Sequence, residues 1–527
     1  MKNICLNWTI SLLTGLFALF FITTMGFIFK LSINSLYSIL AIIVFIATLI
    51  FLTIKTNKES FVKSLFAQII VLLDLILVFG VICYLIPDFS YDGTTYHQAM
   101  IILLKLGLNP IWDNVSAFAN RQEYVFSASI EYVETFLKFF EIIGANIYYI
   151  FDKIELTKIT NYLFMICAFC YSFYTLKNCN YSNFKSSVFS FLIIYNPVCI
   201  CQMLSNYVDG AFYYMFLILL FACVNYAKKI DEIKSLYLIG ISSVILSNLK
   251  LTGLFSAIVI LTIFICAYRS KKMLLTCIIA YFLILISGIN PYFTNMNNGR
   301  NAFYPVIKNS IMEANKDGMI TSYPQGFENK NRFEKLAFSL FAVSKNLSPL
   351  IESNDVPRLK LPFTISDDDK FIFEDMRLAG FGYFFSGILL LSLFLSMFVE
   401  FKNKEDKKIF WIIIAILLIS ILGNHEAWWA RFVPQLWLLP FVILLNLKKE
   451  KLIWLILLIC ICFVNSFIIN IQYLENTILK TVMHNEEIKT YSSIIYVPIS
   501  YQEINHKYQT EPIKLLEKGV RVIYIED

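Results

Sequence analysis

The stretch Pro87-Asp-Phe-Ser-Tyr-Asp-Gly-Thr-Thr-Tyr-His97 sets two carboxylates, Asp88 and Asp92, and an imidazole, His97, directly after a long apolar run. A carboxylate at the mouth of a membrane cavity can act as general base on a hydroxyl within hydrogen-bond reach, and Asp92 has that position. Asp92 precedes Gly93 and a helical pattern, so free N–H groups of a first turn would face the same spot and could hold a phosphate or a developing negative charge. The competing reading makes Asp92 an N-cap and nothing more. His97 follows five residues later, about 140° round an α-helix from Asp92, so the two do not share a face. With Tyr96 beside it, His97 could bind a leaving phosphate or a metal, or sit satisfied beneath the loop.

Further candidates follow later in the chain. Asp209, in Ser205-Asn-Tyr-Val-Asp-Gly210, opens an apolar run as either a site acid or a turn residue. Lys250, in Ser247-Asn-Leu-Lys-Leu-Thr-Gly253, is the only cation of a short apolar turn; it calls for an anionic lipid phosphate or snorkels to the interface. Arg300 and Tyr304 could reach the same cavity or be ordinary loop residues. The cluster Asn424-His-Glu-Ala-Trp-Trp-Ala-Arg-Phe-Val-Pro-Gln435 adds His425, Glu426 and Arg431. Arg431 lies about one turn inside an apolar region, where a guanidinium needs a phosphate, Glu426 or an acid from another span as partner. Asp74 is an acid in the middle of an apolar run, a functional candidate with no partner evident.

The elements that must position these residues are membrane helices. The 527 residues are 58% hydrophobic and 16% charged, and the mean hydropathy is +0.66, outside the range of soluble globular domains. Apolar runs of bilayer length lie at 8–29, 33–54, 64–86, 156–176, 184–203, 209–227, 234–249, 251–268, 273–290, 380–400, 408–423, 428–446 and 451–471. The close pair 234–249 and 251–268 is either two helices or one broken one. Counting thirteen, with the amino terminus cytoplasmic, puts every Lys- and Arg-rich loop (from Lys55, Lys177, Lys228, Arg269, Lys402 and Lys448 onward) on the inside, as the positive-inside rule requires. The net charge of +6 therefore reports topology and not nucleic-acid binding. The twelve cysteines show no paired spacing and read as small buried hydrophobes.

The expected architecture is thus an all-α polytopic membrane domain over 1–471. Its outer segments are 87–155, with amphipathic surface helices at Thr95 to Leu108 and Ser129 to Ile143, and 291–379. The second is a polar loop with Pro305, Pro324, Pro349, Pro357, Pro362 and the acidic run Asp367-Asp-Asp. A small α/β unit over 472–527 follows on the outer face, with a helix, a Gly stop and an alternating strand that joins Ser493 to Ile499.

Three pieces, Tyr91-Asp-Gly-Thr-Thr-Tyr-His97, Asn206-Tyr-Val-Asp-Gly210 and Trp429-Ala-Arg-Phe-Val-Pro434, carry a likeness. With them the chain resembles the C-type (GT-C) polytopic glycosyltransferases of bacterial membranes, in particular the branch similar to the dolichyl-phosphate-mannose-protein mannosyltransferases. The resemblance implies a hexosyl or pentosyl transferase of the cytoplasmic (inner) membrane. It would take a polyprenyl-phosphate sugar donor at its outer face and pass the sugar, with inversion, to a glycan, lipid or protein acceptor that Asp92 activates. The chain departs from that pattern in having Asp92-Gly93 where many relatives carry Asp-Glu, which leaves metal use open. No cofactor is implied with certainty; a divalent metal on Asp92, His97 or Asp209 would do the same work as the cations Lys250 and Arg431. Two other classes stay open: a polymerase or ligase of lipid-linked oligosaccharides, and a lipid-sugar transporter or flippase, which the one-sided polar clusters disfavour.

Overall fold

The computed structural model describes residues 1–122, 130–304, 324–346, 357–498 and 510–525. The expectations touching Ser129, Pro305, Pro349 and Ile499 lie outside the described residues. The chain is mostly helical, and among the described residues eight helices are long and apolar enough to cross a membrane. They are Lys2–Ile28, Ser35–Thr56, Phe61–Leu85, Ile154–Asn178, Asp209–Ala227, Glu232–Leu249, Leu251–Tyr268 and Lys449–Thr490. A ninth forms if Lys271–Ser287 and Ile289–Asn297, bent by 69°, make one span.

Four of the thirteen apolar runs fall short of that standard for local reasons. The run 184–203 breaks at Asn196-Pro197, where the Asn196 side chain accepts from the Val198 N–H and a second short helix starts on the proline. In 428–446 two 3-10 turns precede an α-helix of only Leu438–Leu444. The run 380–400 becomes helical only at Phe385, and Lys404–Leu422 carries its charges inside its first turns.

Helix Asp209–Ala227 is the centre of the bundle, buried without interruption from Asp209 to Leu220. It packs against the helices Ile159–Asn178, Glu232–Leu249 and Leu251–Tyr268. A helix apolar all round is stable only inside a larger apolar body. Ser35–Thr56 and Phe61–Leu85 are peripheral: Ile42, Ile43, Leu73, Leu77 and Val78 stay exposed, as on a lipid-facing surface. Asp74 is exposed on that outer face and not buried.

The pair flanking Lys250 is two helices. Their break has extended backbone at Lys250, and a Cβ on Gly253 would collide with the Leu246 carbonyl oxygen. Seven residues along a straight helix are about 10 Å apart, so this approach requires the chain to reverse.

The helix Asp209–Ala227 has 19 residues, about 28 Å at 1.5 Å per residue, and its two ends differ in chemistry. Beyond Ala227, Lys228 pairs with Asp406 at 2.7 Å, Lys234 with Asp231 at 3.4 Å, and Lys408 donates to the Ala267 carbonyl at 2.8 Å. Basic loops therefore collect at one end, and Asp209 begins the other.

The expected surface helix Thr95 to Leu108 is a core element. A π-helical turn, Gly93–His97, leads into Gln98–Lys105, whose Ile101, Ile102, Leu103 and Leu104 are at most 1% exposed. Its apolar residues run round the whole circumference, which suits burial and not an interface. The expected helix over 129–143 is two, Ile130–Thr135 and Phe139–Phe151.

Helix Leu452–Thr490 has 39 residues, about 58 Å, so it runs well past a bilayer's thickness. Its far half carries the segment around 371–384: Gln472 accepts from the Phe371 N–H at 2.9 Å, and Asn476 donates to the Ile372 carbonyl at 2.9 Å. The tail then forms strand Ile494–Pro498, helix Glu511–Glu517 and strand Arg521–Ile525, with the two strands paired in parallel.

Candidate functional site

Two loops carry the acids, and Asp88 joins them. Its carboxylate accepts from the Ser90 N–H at 2.8 Å and, across the bundle, from the Asn206 N–H at 2.7 Å. Burial pushes the Asp88 carboxyl up, with Lys514 and Lys158 pulling the other way. Gly93 is required beside it, because a Cβ there would strike the Asp88 carboxylate and the Ser90 hydroxyl. The tail secures the same place: Lys514 donates to the Asp88 carbonyl at 2.7 Å and pairs with Glu155 at 3.0 Å, while Glu155 pairs with Lys158 at 2.5 Å and accepts from the Asp88 N–H at 2.9 Å.

Above this layer three carboxylates surround one guanidinium. Arg431 Nη1 lies 2.6 Å from Asp92 and 3.7 Å from Asp209, and its Nε lies 2.9 Å from Asp375. Asp209 also pairs with Lys250 and accepts from Gln202 at 3.1 Å. Asp375 pairs with Arg377 at 2.8 Å and accepts from the Trp429 indole N–H at 2.7 Å. Rings of Tyr207, Trp429 and Phe432 stand within 4.9 to 5.2 Å of the Arg431 guanidinium, and the Lys250 ammonium lies 4.6 Å from the Phe432 ring. Arg431, Lys250 and Arg377 thus balance Asp92, Asp209 and Asp375.

The cluster has a sealed side and a lip. Asp209 and Asp375 side chains are 2% and 3% exposed, whereas Arg431, Asp92 and Lys250 reach 11%, 12% and 22%. Burial works to raise the Asp92 carboxyl, but the adjoining Arg431 guanidinium holds it below the usual carboxylate range, helped by a hydrogen bond from Tyr96. Burial likewise works against the Arg431 charge, and Asp375 and Asp92 overcome it, pushing the guanidinium well up. Asp92 is therefore anionic and poorly basic while Arg431 holds it. The lip offers one carboxylate and two fixed cations to anything that enters.

Four residues singled out from separate parts of the sequence, Asp92, Asp209, Lys250 and Arg431, stand together. Asp92 is not a helix cap: its side chain makes no cap hydrogen bond, and the nearby Thr94 N–H is spent on the Ser90 carbonyl. Asp92 lies within the helical turn, which already starts at Tyr91; its own N–H meets the Tyr207 hydroxyl at 3.5 Å, and Asp88 takes the turn-closing role. Tyr96 reaches Asp92, but His97 turns to Glu141, with 2.5 Å between Nδ1 and Oε1.

The other candidates lie elsewhere. Arg300 pairs with Glu134 at 2.7 Å and Tyr304 bonds Glu131, one layer out. His425, with its side chain 80% exposed, contacts Glu426, which accepts from the Trp428 indole at 2.5 Å. Glu426 is thus not the Arg431 partner, because the guanidinium is already held by acids from three distant segments.

The sequence reading passed over Asp375, Arg377, Gln202 and Tyr207. Phe373-Glu-Asp-Met-Arg377, an acidic pair and a cation just ahead of an apolar run, carries a signal, though one less conspicuous than Asp367-Asp-Asp. Of that run, Asp369 closes a local knot with the Ser344 N–H at 2.7 Å and Lys360 at 2.7 Å, and Asp368 pairs with Arg358.

Among the described residues no group of three His, Cys, Asp or Glu side chains is placed to hold a metal ion. The set Asp92, His97 and Asp209 does not fit one, since Arg431 stands between the two acids and His97 is engaged by Glu141. No protein-family model, curated protein or solved structure matches the chain.

Proposed function

We propose that the protein is a membrane glycosyltransferase that moves a sugar from a polyprenyl-phosphate donor to an acceptor hydroxyl. The observation that carries the reading is the junction of Asp92 with Arg431, Asp209 and Lys250 at one end of an apolar bundle. A lipid-borne donor needs three things of such a site: cations for the phosphate, a carboxylate for the hydroxyl, and a position at the membrane edge. The lip supplies them in one place.

In the proposed reaction the phosphate of the donor lies against Lys250 and Arg431, exchanging their carboxylate contacts for its own oxygens. Asp92, released in part from Arg431, orients the acceptor hydroxyl and takes its proton. The hydroxyl oxygen bonds to the anomeric carbon as the carbon–phosphate-oxygen bond breaks, and the electron pair leaves on the lipid phosphate. Charge grows on that phosphate in the transition state, which is where fixed cations lower the barrier. Attack opposite the leaving group inverts the anomeric carbon. Basic loops gathered at the far end support, by the positive-inside rule, a reading in which that end faces the cytoplasm and the site lies at the outer leaflet.

The test is transfer by purified protein in vesicles, with a panel of polyprenyl-phosphate-linked hexoses and pentoses and a membrane glycolipid extract as acceptor, following release of polyprenyl phosphate. Asp92→Asn should stay folded and inserted and lose transfer. Full activity in Asp92→Asn removes Asp92 from the mechanism, and vectorial transport of intact donor without covalent product replaces the reading with that of a flippase.

A further inference from the structure

The arrangement around Asp92 raises a difficulty that the neighbouring residues resolve. A carboxylate held below its usual range by Arg431 is a weak base and a poor final holder of a proton. The backbone supplies a second group. Residues Gly93–His97 form a π-helical turn closed by the Gln98 N–H to the Gly93 carbonyl. With i→i+5 bonding and about 4.4 residues per turn, five residues advance a side chain by roughly 50° beyond a full turn, in place of the 140° of an α-helix. Asp92 and His97 therefore share a face, one turn apart.

His97 is held for the task. Its Nδ1 is 2.5 Å from Glu141 Oε1, and both side chains are 4% exposed. A carboxylate on Nδ1 fixes the ring so that Nε2 carries the lone pair. The second Glu141 oxygen has no hydrogen-bond partner among the described residues, so the charge of that carboxylate is not spent on other donors. Lys138, a cation close enough to interact with Glu141, donates instead to the carbonyls of Glu134 and Phe136 at 3.0 and 2.7 Å. The remaining titratable neighbours are Tyr96, whose ring lies 4.4 Å from the imidazole and whose hydroxyl bonds Asp92, and Tyr132, which meets the Tyr96 ring edge-on at 5.6 Å.

We infer that the Glu141–His97 pair is the proton sink of the site, relaying away the proton that Asp92 takes from the acceptor hydroxyl; the inference rests on the transfer reading above. The hydroxyl O–H bond breaks as its oxygen bonds the anomeric carbon, and the proton passes to Asp92 and then to Nε2 of His97. The resulting imidazolium is balanced by Glu141, and it returns its proton to water after product leaves. His97 is in this sense a relay acting through Asp92.

The experiment uses the full-length protein in vesicles with the donor panel above. His97→Ala should lower kcat by about 10²-fold or more with KM little changed, the size expected of a lost acid–base group. Added imidazole should restore turnover, and in a series of substituted imidazoles the rescue should rise with basicity. Glu141→Gln, which keeps shape and removes charge, should lower kcat about tenfold with KM little changed, and it serves where His97→Ala does not insert. Wild-type kcat in both variants, or rescue that follows the size of the added base and not its basicity, overturns the relay. Absence of transfer from any lipid-linked sugar by the wild-type protein overturns the transfer reading itself, so the two failures are distinguishable.

Discussion

Arg431→Met separates a charge-balanced cluster from one that merely contains an arginine. The substitution keeps an apolar stem and deletes the guanidinium. Asp209 retains Lys250 and Asp375 retains Arg377, but Asp92 loses the only ion-pair partner it has among the described residues. Removing one member of a buried pair costs about 3–5 kcal/mol, because the other charge is stranded. Side-chain exposures of 11% for Arg431 and 12% for Asp92 let water relieve part of that, so a loss near the lower bound, about 3 kcal/mol, is expected. The double variant Asp92→Asn/Arg431→Met removes the stranded charge and should recover at least half the loss without recovering transfer. Reversible unfolding of the four proteins of this cycle in detergent micelles measures the coupling directly. A cost for Arg431→Met under about 1 kcal/mol, or a double variant whose cost is the sum of the singles, refutes the reasoning.

Three further outcomes follow from the same geometry. Glu374 is 3% exposed, with Tyr473 donating to one carboxylate oxygen at 3.2 Å and the other oxygen unpartnered among the described residues; burial pushes its carboxyl up from 4.5 to about 7, against the pull of Lys480. A raised acid stabilises the fold below its unfolded value and loses that contribution as pH rises through its folded value, so stability should fall by about 3 kcal/mol between roughly pH 4.5 and 7. In Glu374→Gln that slope should flatten, and an unchanged slope in thermal unfolding against pH contradicts the assignment. Lys514→Met strands Glu155 only partly, since Lys158 remains, and should cost about 2 kcal/mol. It should also make the tail around 511–525 cleavable by protease in vesicles; a resistant tail would show that Lys514 is not its anchor. Gly93→Ala pushes the Asp88 carboxylate and with it the Asp92 turn, so transfer should drop about 10²-fold, the loss attached to a displacement near 1 Å. Retained turnover would mean that the turn adapts.

How much of this was legible beforehand differs by residue. Lys250 and Arg431 could be singled out because a charge beside apolar sequence is costly, and the cost is written in the local composition. The same holds for Asp209 at the head of an apolar run. Asp375 gave a fainter warning: it stands just ahead of an apolar run, but in a polar segment where an acid near a cation is the ordinary solvated case. The break at Asn196-Pro197 was a strong local signal, yet it was absorbed into one long apolar run, because hydropathy averaged over a span does not register a single missing N–H.

Sequence alone determined that this chain is a membrane-embedded helical protein with its unusual charges near the ends of apolar runs, since hydrophobic length and charge position are one-dimensional quantities. Tertiary structure decided which charges meet. The pairing of Asp92 with Arg431 joins residues 339 positions apart, and no local pattern encodes it. The π-helical turn that brings His97 onto the face of Asp92 is closed by the Gln98 N–H to the Gly93 carbonyl and leads straight into a buried helix, a backbone register that residue types and spacing do not reveal.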